Sequence, residues 1–208
     1  MSRPEVHIID TRVANVASLI AAFARLGARA TLTTEPRTVG GAGAVVLPGV
    51  GSFGAGMSAL RGAGLVEVIR ERLDAARPTL AVCLGLQLLC AASDESPGVE
   101  GISHLPAKVT RYPGSVRVPQ LGWNFIEPGR SCSLLTRGHA YFANSYRLTA
   151  PPPGWSVAVA GYAGPFVAAL ERGPVLACQF HPELSGRFGI DLLDRWLARA
   201  EQEASVAC

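Results

Sequence analysis

The first half of the chain alternates short apolar runs with longer amphipathic stretches, and this alternation is the strongest constraint on its fold. Residues 6–10 are predicted to form a strand, and the apolar runs Ala44–Leu47 and Thr79–Val82 are predicted to form buried strands. Apolar strands that are separated by amphipathic helices are typical of parallel βαβ units. The predicted fold class is therefore α/β, with a mostly parallel sheet between helices.

Two amphipathic stretches are predicted to be the helices that connect these strands. Asn15 is placed to cap the first helix and Gly27 to end it. The second covers residues 65–76 and ends before Pro78, because proline cannot continue a helix. The apolar face of the first helix recurs at spacings of three and four residues, and consists of Val16, Leu19, Ile20, Phe23 and Leu26.

The second half has a different pattern. From Lys108 onward the apolar runs are short and partly alternating, and the step from Arg172 to Gly173 is typical of a hairpin turn. These runs predict an antiparallel extension of the same sheet. Residues 190–200 place their apolar side chains on one helical face, which predicts a final helix packed on the sheet. The runs in question are AKVTRY, YFANSYRL, SVAVAG, FVAALERG and VLACQF.

Length and composition fit one domain over residues 1–208. Hydrophobic residues make up 49% of the 208 residues and charged residues 17%, which is enough for a large core. The net charge of +3 is spread along the chain, so no nucleic-acid partner is expected. No apolar run approaches the roughly 18 residues that span a bilayer. The polar start of the chain, with Glu5, His7 and Asp10, predicts a cytoplasmic protein.

The cysteines are few and widely spaced. Their odd number, and the absence of any CxxC pair, argue against disulfides and against a zinc site. No metal or organic cofactor is expected. The five positions are Cys83, Cys90, Cys132, Cys178 and Cys208.

One cysteine stands where an apolar strand leads directly into a helix, in the segment PTLAVCLGLQLLC. The small residues Ala81 and Gly85, two positions either side of Cys83, allow the tight turn of a nucleophile elbow, with the helix beginning near Leu86. Backbone amides at such a helix start favour a thiolate and a developing oxyanion. The alternative is that Cys83 is an ordinary buried residue, as most cysteines in apolar runs are.

A nucleophilic thiol requires a base, and the segment QFHPELSG provides one. His181 follows an apolar strand, and Pro182 keeps the chain extended so that Glu183 can turn back towards the imidazole. A carboxylate on one ring nitrogen leaves the other free to accept the thiol proton. In isolation, His181 and Glu183 would be interpreted as turn and solvent-exposed residues. Paired with an elbow cysteine they predict a catalytic triad.

A glycine-rich loop in VVLPGVGSFGAG is the third element. Gly49 and Gly51 can adopt backbone angles that other residues avoid, so the loop can direct the amide of Val50 or Gly51 at an oxyanion, beside the amide of Leu84. Phosphate binding is disfavoured, because neither the GxGxxG spacing nor a GK[ST] ending is present.

Together, LPGVGSF, AVCLGLQLL, VPQLGWNF, YFANSY and QFHPELSG resemble the class I glutamine amidotransferases over nearly the whole chain. The resemblance is strongest to the branch that forms glutaminase subunits of imidazole glycerol phosphate synthase. It implies a three-layer fold, a triad of Cys83, His181 and Glu183, and glutamine as substrate. The residues that it implies for holding glutamine are Gly49, Gln87, Asn144, Ser145 and Tyr146.

The resemblance also implies a partner. This is a (β/α)₈-barrel cyclase subunit that receives the ammonia and forms imidazole glycerol phosphate and aminoimidazole carboxamide ribotide, in histidine biosynthesis. Asn15, Pro119 and Trp123 lie in segments that face the partner in relatives. An alternative for Trp123 is a core aromatic residue, and an alternative for Gln87 is an exposed residue of a first helical turn.

The chain departs from the family pattern at several positions. Ala81 replaces a usual glycine, and Arg12 a small residue. Gln120 and Asn144 stand where histidine is common, and Leu184 where a basic residue commonly meets an acidic group of the cyclase. None of these changes removes a catalytic group, but they affect the expected coupling to the partner.

Three other functions remain open at this stage. The first is a glutaminase that serves another acceptor, such as pyridoxal phosphate, anthranilate or guanylate synthesis, although those branches usually carry PGG or GGP loops where this chain has PGVG. The second is a stand-alone cysteine hydrolase that cleaves a small peptide or γ-glutamyl bond. The third is a non-catalytic interaction module, which would be expected to lack a triad residue.

Overall fold

The computed structural model describes residues 3–11 and 16–206. The strands are β1 (Val6–Ile9), β2 (Ala30–Thr33), β3 (Ala44–Leu47), β4 (Thr79–Val82), β5 (Cys90–Ser93), β6 (Leu105–Arg111), β7 (Gln120–Pro128), β8 (Gly138–Asn144), β9 (Tyr146–Arg147), β10 (Ser156–Gly161), β11 (Pro165–Arg172) and β12 (Val175–Cys178). The helices are α1 (Ala17–Arg25), α2 (Pro36–Gly41), α3 (Phe53–Gly62), α4 (Leu65–Asp74), α5 (Leu84–Leu88) and α6 (Gly186–Val206).

Nine of the strands form one mixed sheet, in the order β2-β1-β3-β4-β12-β11-β10-β7-β8. The first five strands in this order are parallel to one another. Every residue of β3, β4 and β12 is buried, as expected for parallel strands that are covered by helices on both faces. The predicted strands at Ala44–Leu47 and Thr79–Val82 are confirmed at both ends, and the first strand is one residue shorter than predicted.

The other half of the sheet is antiparallel, from β11 to β8, which confirms the predicted extension. Arg172 pairs with Val175 across a tight turn at Gly173, whose φ of 58° is left-handed. One part of the prediction is wrong. The AKVTRY run belongs to β6 and the end of the YFANSYRL run forms β9, and both strands lie with β5 in a separate three-stranded sheet. Alternating burial identifies a half-buried strand but not the sheet to which it belongs.

Two layers of helices cover the sheet, which confirms the three-layer class. On one face, α1 and α6 bury Phe23, Leu193 and Trp196 in a common cluster with β1 and β12. On the other face, α3, α4 and α5 bury Met57 and Ile69. Within the described ranges, no helix has both the length and the apolar character needed to cross a membrane.

The helix boundaries differ slightly from those predicted. Helix α4 ends at Asp74 and not at residue 76, because Ala76 turns into the left-handed region with a φ of 49°. Helix α5 begins at Leu84, two residues earlier than predicted, and α6 is longer than residues 190–200 at both ends. Gly27 follows α1 with a φ of 74°, as expected for a helix-ending glycine. Asn15 and Arg12 lie outside the described residues.

Candidate active site

Cys83 occupies a strained turn directly after β4. Its φ of 54° and ψ of −107° are rare for a residue other than glycine, and its N–H donates to the carbonyl of Cys178 at 2.7 Å. Gly85 is required by close packing, since a Cβ there would lie 2.1 Å from the carbonyl oxygen of Leu47. The turn thus has the strand-to-helix form expected of an elbow, and Cys83 is buried, with 7% of its surface exposed.

His181 follows β12, the strand beside β4, and its backbone is hydrogen-bonded to a third strand, β8. Its N–H donates to the carbonyl of Tyr141 on β8 at 2.9 Å, and its own carbonyl accepts a hydrogen bond from the hydroxyl of Ser185 at 2.6 Å. Its backbone is extended before Pro182, and residues Pro182–Leu184 form a 3₁₀ turn. This turn brings the Glu183 carboxylate to 2.8 Å from Nδ1 of His181. Both side chains are almost fully buried.

The imidazole of His181 is held in its protonated form. Burial lowers the pKa of His181. Hydrogen bonds with Cys83 and Glu183, together with the charges of both groups, raise it by more than burial lowers it, and the net pKa is about 10. A carboxylate on Nδ1 and a sulfur partner therefore outweigh the cost of burying the charge. Chemically, the group can hold a proton beside the sulfur at neutral pH and release it to a more basic acceptor.

These side chains meet because three neighbouring strands run in the same direction. The loop at 49–51 follows β3, Cys83 follows β4, and His181 follows β12, so all three reach the same edge of the sheet. There they face a cavity of about 180 Å³. The side chains and backbone that line it are Val50, Gly51, Cys83, Leu84, Gln87, Glu95, Ala143, Asn144, Ser145, Tyr146 and His181.

The glycine loop packs directly on the elbow. A Cβ at Gly49 would lie 2.5 Å from the Cβ of Leu84 and 2.6 Å from the nitrogen of Gly85, so only glycine fits there. The Leu84 N–H donates to the Gly49 carbonyl at 3.3 Å. The Leu84 amide that the sequence assigns to an oxyanion hole is therefore occupied in this conformation. Val50 and Gly51 line the cavity, and Gly51 has a φ of 100°.

The residues that the resemblance implies for glutamine binding lie together, apart from one. Gln87 is buried and donates from Nε2 to the carbonyl of Tyr146 at 3.1 Å, so it is not the exposed first-turn residue of the alternative interpretation. Asn144 donates to the same carbonyl at 2.9 Å. Ser145 lines the same cavity. Gly49 is not among the lining residues and lies behind the elbow.

Two further residues at the site were not identified from the sequence. Glu95 lines the cavity, and its Oε2 accepts the N–H of Phe53 at 2.6 Å, at the start of α3. Gln179 lies beneath the cavity, with its Nε2 3.6 Å from Sγ of Cys83. Neither has a local sequence signal, because each role depends on contacts with residues 42 to 96 positions away.

A bare apolar surface lies beside the cavity. Leu121, Trp123 and Phe125 alternate along β7 and are 59%, 58% and 42% exposed; we call these three residues the β7 patch. Trp123 is therefore not a core residue. The patch is close to the site, because Trp123 pairs with Tyr141 across the sheet and Tyr141 forms a bridge with His181. Pro119 is exposed and directly precedes the same strand, whereas Asn15 is outside the described residues.

The side chains of the site offer no cluster of metal ligands. Within residues 3–11 and 16–206, no group of three or more His, Cys, Asp and Glu residues is arranged to hold a metal ion. The chemistry that this arrangement can perform is nucleophilic attack by a thiol with acid–base assistance from an imidazole.

Comparisons with known proteins agree on one family. Residues 7–199 match the family described as glutamine amidotransferase class-I. The chain is 39% identical over 193 residues to imidazole glycerol phosphate synthase subunit HisH of Symbiobacterium thermophilum, covering 91% of each protein. It is likewise 39% identical over 191 residues to the protein of the same name from Methanothermobacter thermautotrophicus, covering 90% of this chain and 95% of the relative.

Solved structures agree on the fold. A crystal structure of a glutamine amidotransferase superposes with a TM-score of 0.76 at 22% identity, covering 94% of this chain and 98% of that chain.

Proposed function

The chain belongs to the class-I glutamine amidotransferases, within the group of the imidazole glycerol phosphate synthase HisH subunits, and from this premise we propose that it hydrolyses glutamine to glutamate and ammonia. The observation that carries the proposal is the site itself. A cysteine in a strained elbow lines the cavity, and the histidine that interacts with it is 2.8 Å from a buried glutamate. The ammonia is used by a cyclase subunit in the synthesis of imidazole glycerol phosphate and aminoimidazole carboxamide ribotide, a step of histidine biosynthesis.

Cys83 is the proposed nucleophile. Its sulfur, whose proton passes to His181, attacks the side-chain amide carbon of glutamine, and the carbonyl oxygen gains the negative charge of a tetrahedral intermediate. The C–N bond then breaks, and His181 gives its proton to the departing ammonia. A water molecule cleaves the resulting glutamyl thioester while His181 accepts a proton, which releases glutamate and restores the thiol. Glu183 holds the imidazole in the required orientation and stabilises its positive charge.

The charge on the carbonyl oxygen needs donors that the loop must supply. The Leu84 amide faces the Gly49 carbonyl at 3.3 Å, so one acceptor occupies the position where the oxyanion would be bound. We propose that the peptide following Gly49 rotates when the partner binds its own ligand. Rotation removes this carbonyl, frees the Leu84 amide and turns the amide of Val50 towards the oxyanion. This need for a rearrangement favours a partner-dependent glutaminase over a stand-alone cysteine hydrolase.

The cavity provides complementary groups for both ends of glutamine. Gln87, Ser145 and Tyr146 present amide and backbone groups for the amino-acid end. Glu95 is an acidic residue of the cavity lining, and its carboxylate suits the α-ammonium group of the substrate. This role for Glu95 extends the set that was identified from the sequence.

The β7 patch is the proposed centre of the contact with the cyclase subunit, which we expect to be a (β/α)₈ barrel. Exposed apolar patches that lie beside an active site commonly mark protein interfaces, and tryptophan is frequent among the residues that dominate binding energy. Docking there would cover the rim of the cavity, since Leu121 pairs with Ala143, a lining residue. Ammonia released at Cys83 would then leave into the partner and not into bulk water.

Reconstitution with the purified cyclase tests the proposal. With Cys83→Ala, glutamine-dependent product formation should disappear, while ammonium salts should support the cyclase at the wild-type rate, because only the source of ammonia is lost. Wild-type protein without the cyclase and its ligand should show a low glutaminase rate. Retained glutamine-dependent turnover by Cys83→Ala would refute the proposal.

A further inference from the structure

Gln179 is fully buried between the nucleophile and the substrate-holding glutamine. It directly follows β12, and its backbone N–H donates to the carbonyl of Ala168 at 2.8 Å. Its side-chain amide contacts Sγ of Cys83 on one side and Nε2 of Gln87 on the other. A buried amide is costly unless its polar atoms are satisfied, so these two contacts determine how it sits.

The direction of the Gln179 amide follows from a backbone carbonyl. The carbonyl of Tyr146 can only accept, so the group of Gln87 that lies 3.1 Å from it must be the amide nitrogen. The same nitrogen lies 3.0 Å from the Gln179 side chain and has a second hydrogen to donate, so the oxygen of Gln179 must face it. The nitrogen of Gln179 is then left facing Sγ at 3.6 Å.

An N–H group directed at the sulfur favours the thiolate over the thiol. A charged acceptor binds a donor about twice as strongly as a neutral one, and the effect is larger in a buried site. We infer that Gln179 is a positioning residue: its Nε2–H group holds the Cys83 sulfur as a thiolate in the attacking position, and Gln87 and the Tyr146 carbonyl fix its orientation. This inference rests on the proposed role of Cys83 as nucleophile.

The arrangement also connects substrate binding to the nucleophile. Gln87 lines the cavity, whereas Gln179 lies behind it and does not. A substrate molecule that contacts Gln87 would therefore act on the residue that fixes the orientation of Gln179. Loss of the Gln179 amide should lower kcat more than it raises KM, because Gln87 keeps its bond to the Tyr146 carbonyl.

Two substitutions remove the donor without changing the size of the side chain. Gln179→Glu replaces the nitrogen by an oxygen that repels a thiolate, and Gln179→Met removes all polar atoms. The reactivity of Cys83 is followed as its rate of alkylation by iodoacetamide at a series of pH values, read from the Cys83 peptide by mass spectrometry. The pH of half-maximal rate should rise by about one unit for Gln179→Glu and about half a unit for Gln179→Met. In the reconstituted complex, kcat should fall about 10- to 100-fold with KM changed less than about threefold.

Matched controls separate this effect from general damage to the core. Gln120→Met also removes a buried amide, one that accepts a hydrogen bond from Tyr112 at 2.8 Å and is not hydrogen-bonded to Cys83 or Gln87, so its alkylation profile should be that of the wild type. Gln87→Met leaves Gln179 in place but removes its orienting partner, and should shift the profile in the same direction by a smaller amount. This variant keeps the inference testable if neither Gln179 variant folds.

The outcomes distinguish the inference from the proposed function. An unchanged alkylation profile in the Gln179 variants would overturn the inference, even with a lower kcat, because that result indicates only a structural role. It would leave the proposed function intact as long as Cys83→Ala is inactive with glutamine. Activity in Cys83→Ala would instead remove the premise on which both depend.

Discussion

The two halves of the large sheet differ in which faces they bury. In the parallel half, β3, β4 and β12 are buried at every position, and the residues that follow them form the site. In the antiparallel half, β7 buries Gln120 and Ile126 but exposes the three apolar residues of the β7 patch. The first half provides a rigid support for the reacting groups, and the second provides a surface that suits a partner. Substitutions in one half should therefore affect turnover, and substitutions in the other should affect assembly.

The largest effect is expected for the imidazole in the parallel half. His181→Asn removes the group that carries the proton in both steps, so kcat for glutamine should fall about 1000-fold in the reconstituted complex. The affinity for the cyclase should be unchanged, because the β7 patch is intact. A stopped assay of glutamate release, together with a binding titration, checks both. Loss of binding along with turnover would contradict the separation of the two halves.

Removing the charge of Glu183 should have the next largest effect. In Glu183→Gln the imidazole keeps a neutral partner, so the pKa of His181 should fall from about 10 towards its ordinary value, and kcat should fall about 100-fold. NMR titration of the His181 ring measures the pKa directly. An unchanged titration would show that Glu183 does not support the charge.

The same pKa predicts a dependence of stability on pH. The value in the folded protein, about 10, is above the ordinary 6.5, so the protonated imidazole stabilises the fold. This contribution is complete below about pH 6.5 and is lost as the pH rises through about 10. Urea unfolding should show a larger loss of stability over this range in the wild type than in His181→Asn. Equal losses in the two proteins would contradict the pKa assignment.

A methyl group added at the elbow should lower the stability of the fold. Gly85→Ala places a methyl group 2.1 Å from the Leu47 carbonyl, which is backbone and cannot move aside, so the free energy of unfolding should fall by about 2–3 kcal/mol. Gly62→Ala is the control, since a Cβ there would have no neighbour within 4 Å among the residues that the structure describes, and alanine favours the helix. Chemical denaturation compares the two variants, and similar stabilities would contradict the tight turn.

The smallest effect is expected on the partner surface. Trp123→Ala should raise the Kd for the cyclase about 30-fold, which corresponds to the loss of one dominant interface residue. Stability should change by less than about 0.5 kcal/mol, since the ring is 58% exposed. Leu32→Ser is the matched control: Leu32 is 47% exposed on β2, at the far edge of the parallel half, and its substitution should leave Kd unchanged. Equal effects at both positions would rule out the β7 patch as the interface.

The sequence predicted the parallel half better than the antiparallel half, for a physical reason. Fully buried strands are short apolar runs, so β3 and β4 were found with correct ends. Strand β7 was not identified, because part of its alternation is inverted: Leu121, Trp123 and Phe125 face solvent and Gln120 faces the core. The sheet that contains β6 was also missed, since alternation does not specify pairing.

The site shows the same division. The segments around Cys83 and His181 have local signals, namely an elbow spacing and a histidine before proline, so the sequence predicts both residues. Glu95 and Gln179 have none, because a buried glutamine is recognisable only through the atoms that it contacts. The hydrogen bond from the Leu84 amide to the Gly49 carbonyl likewise depends on the backbone conformation, which the residue types alone do not predict.

The central claim is that the sulfur of Cys83 attacks the substrate amide with the help of His181. The most direct measurement is mass spectrometry of the protein after treatment with a glutamine analogue that carries a chloroketone in place of the amide. We expect one adduct, located on Cys83, whose formation parallels the loss of activity, is absent in Cys83→Ala and is slower in His181→Asn. An adduct on another residue, with Cys83 unmodified and activity lost, would contradict the account.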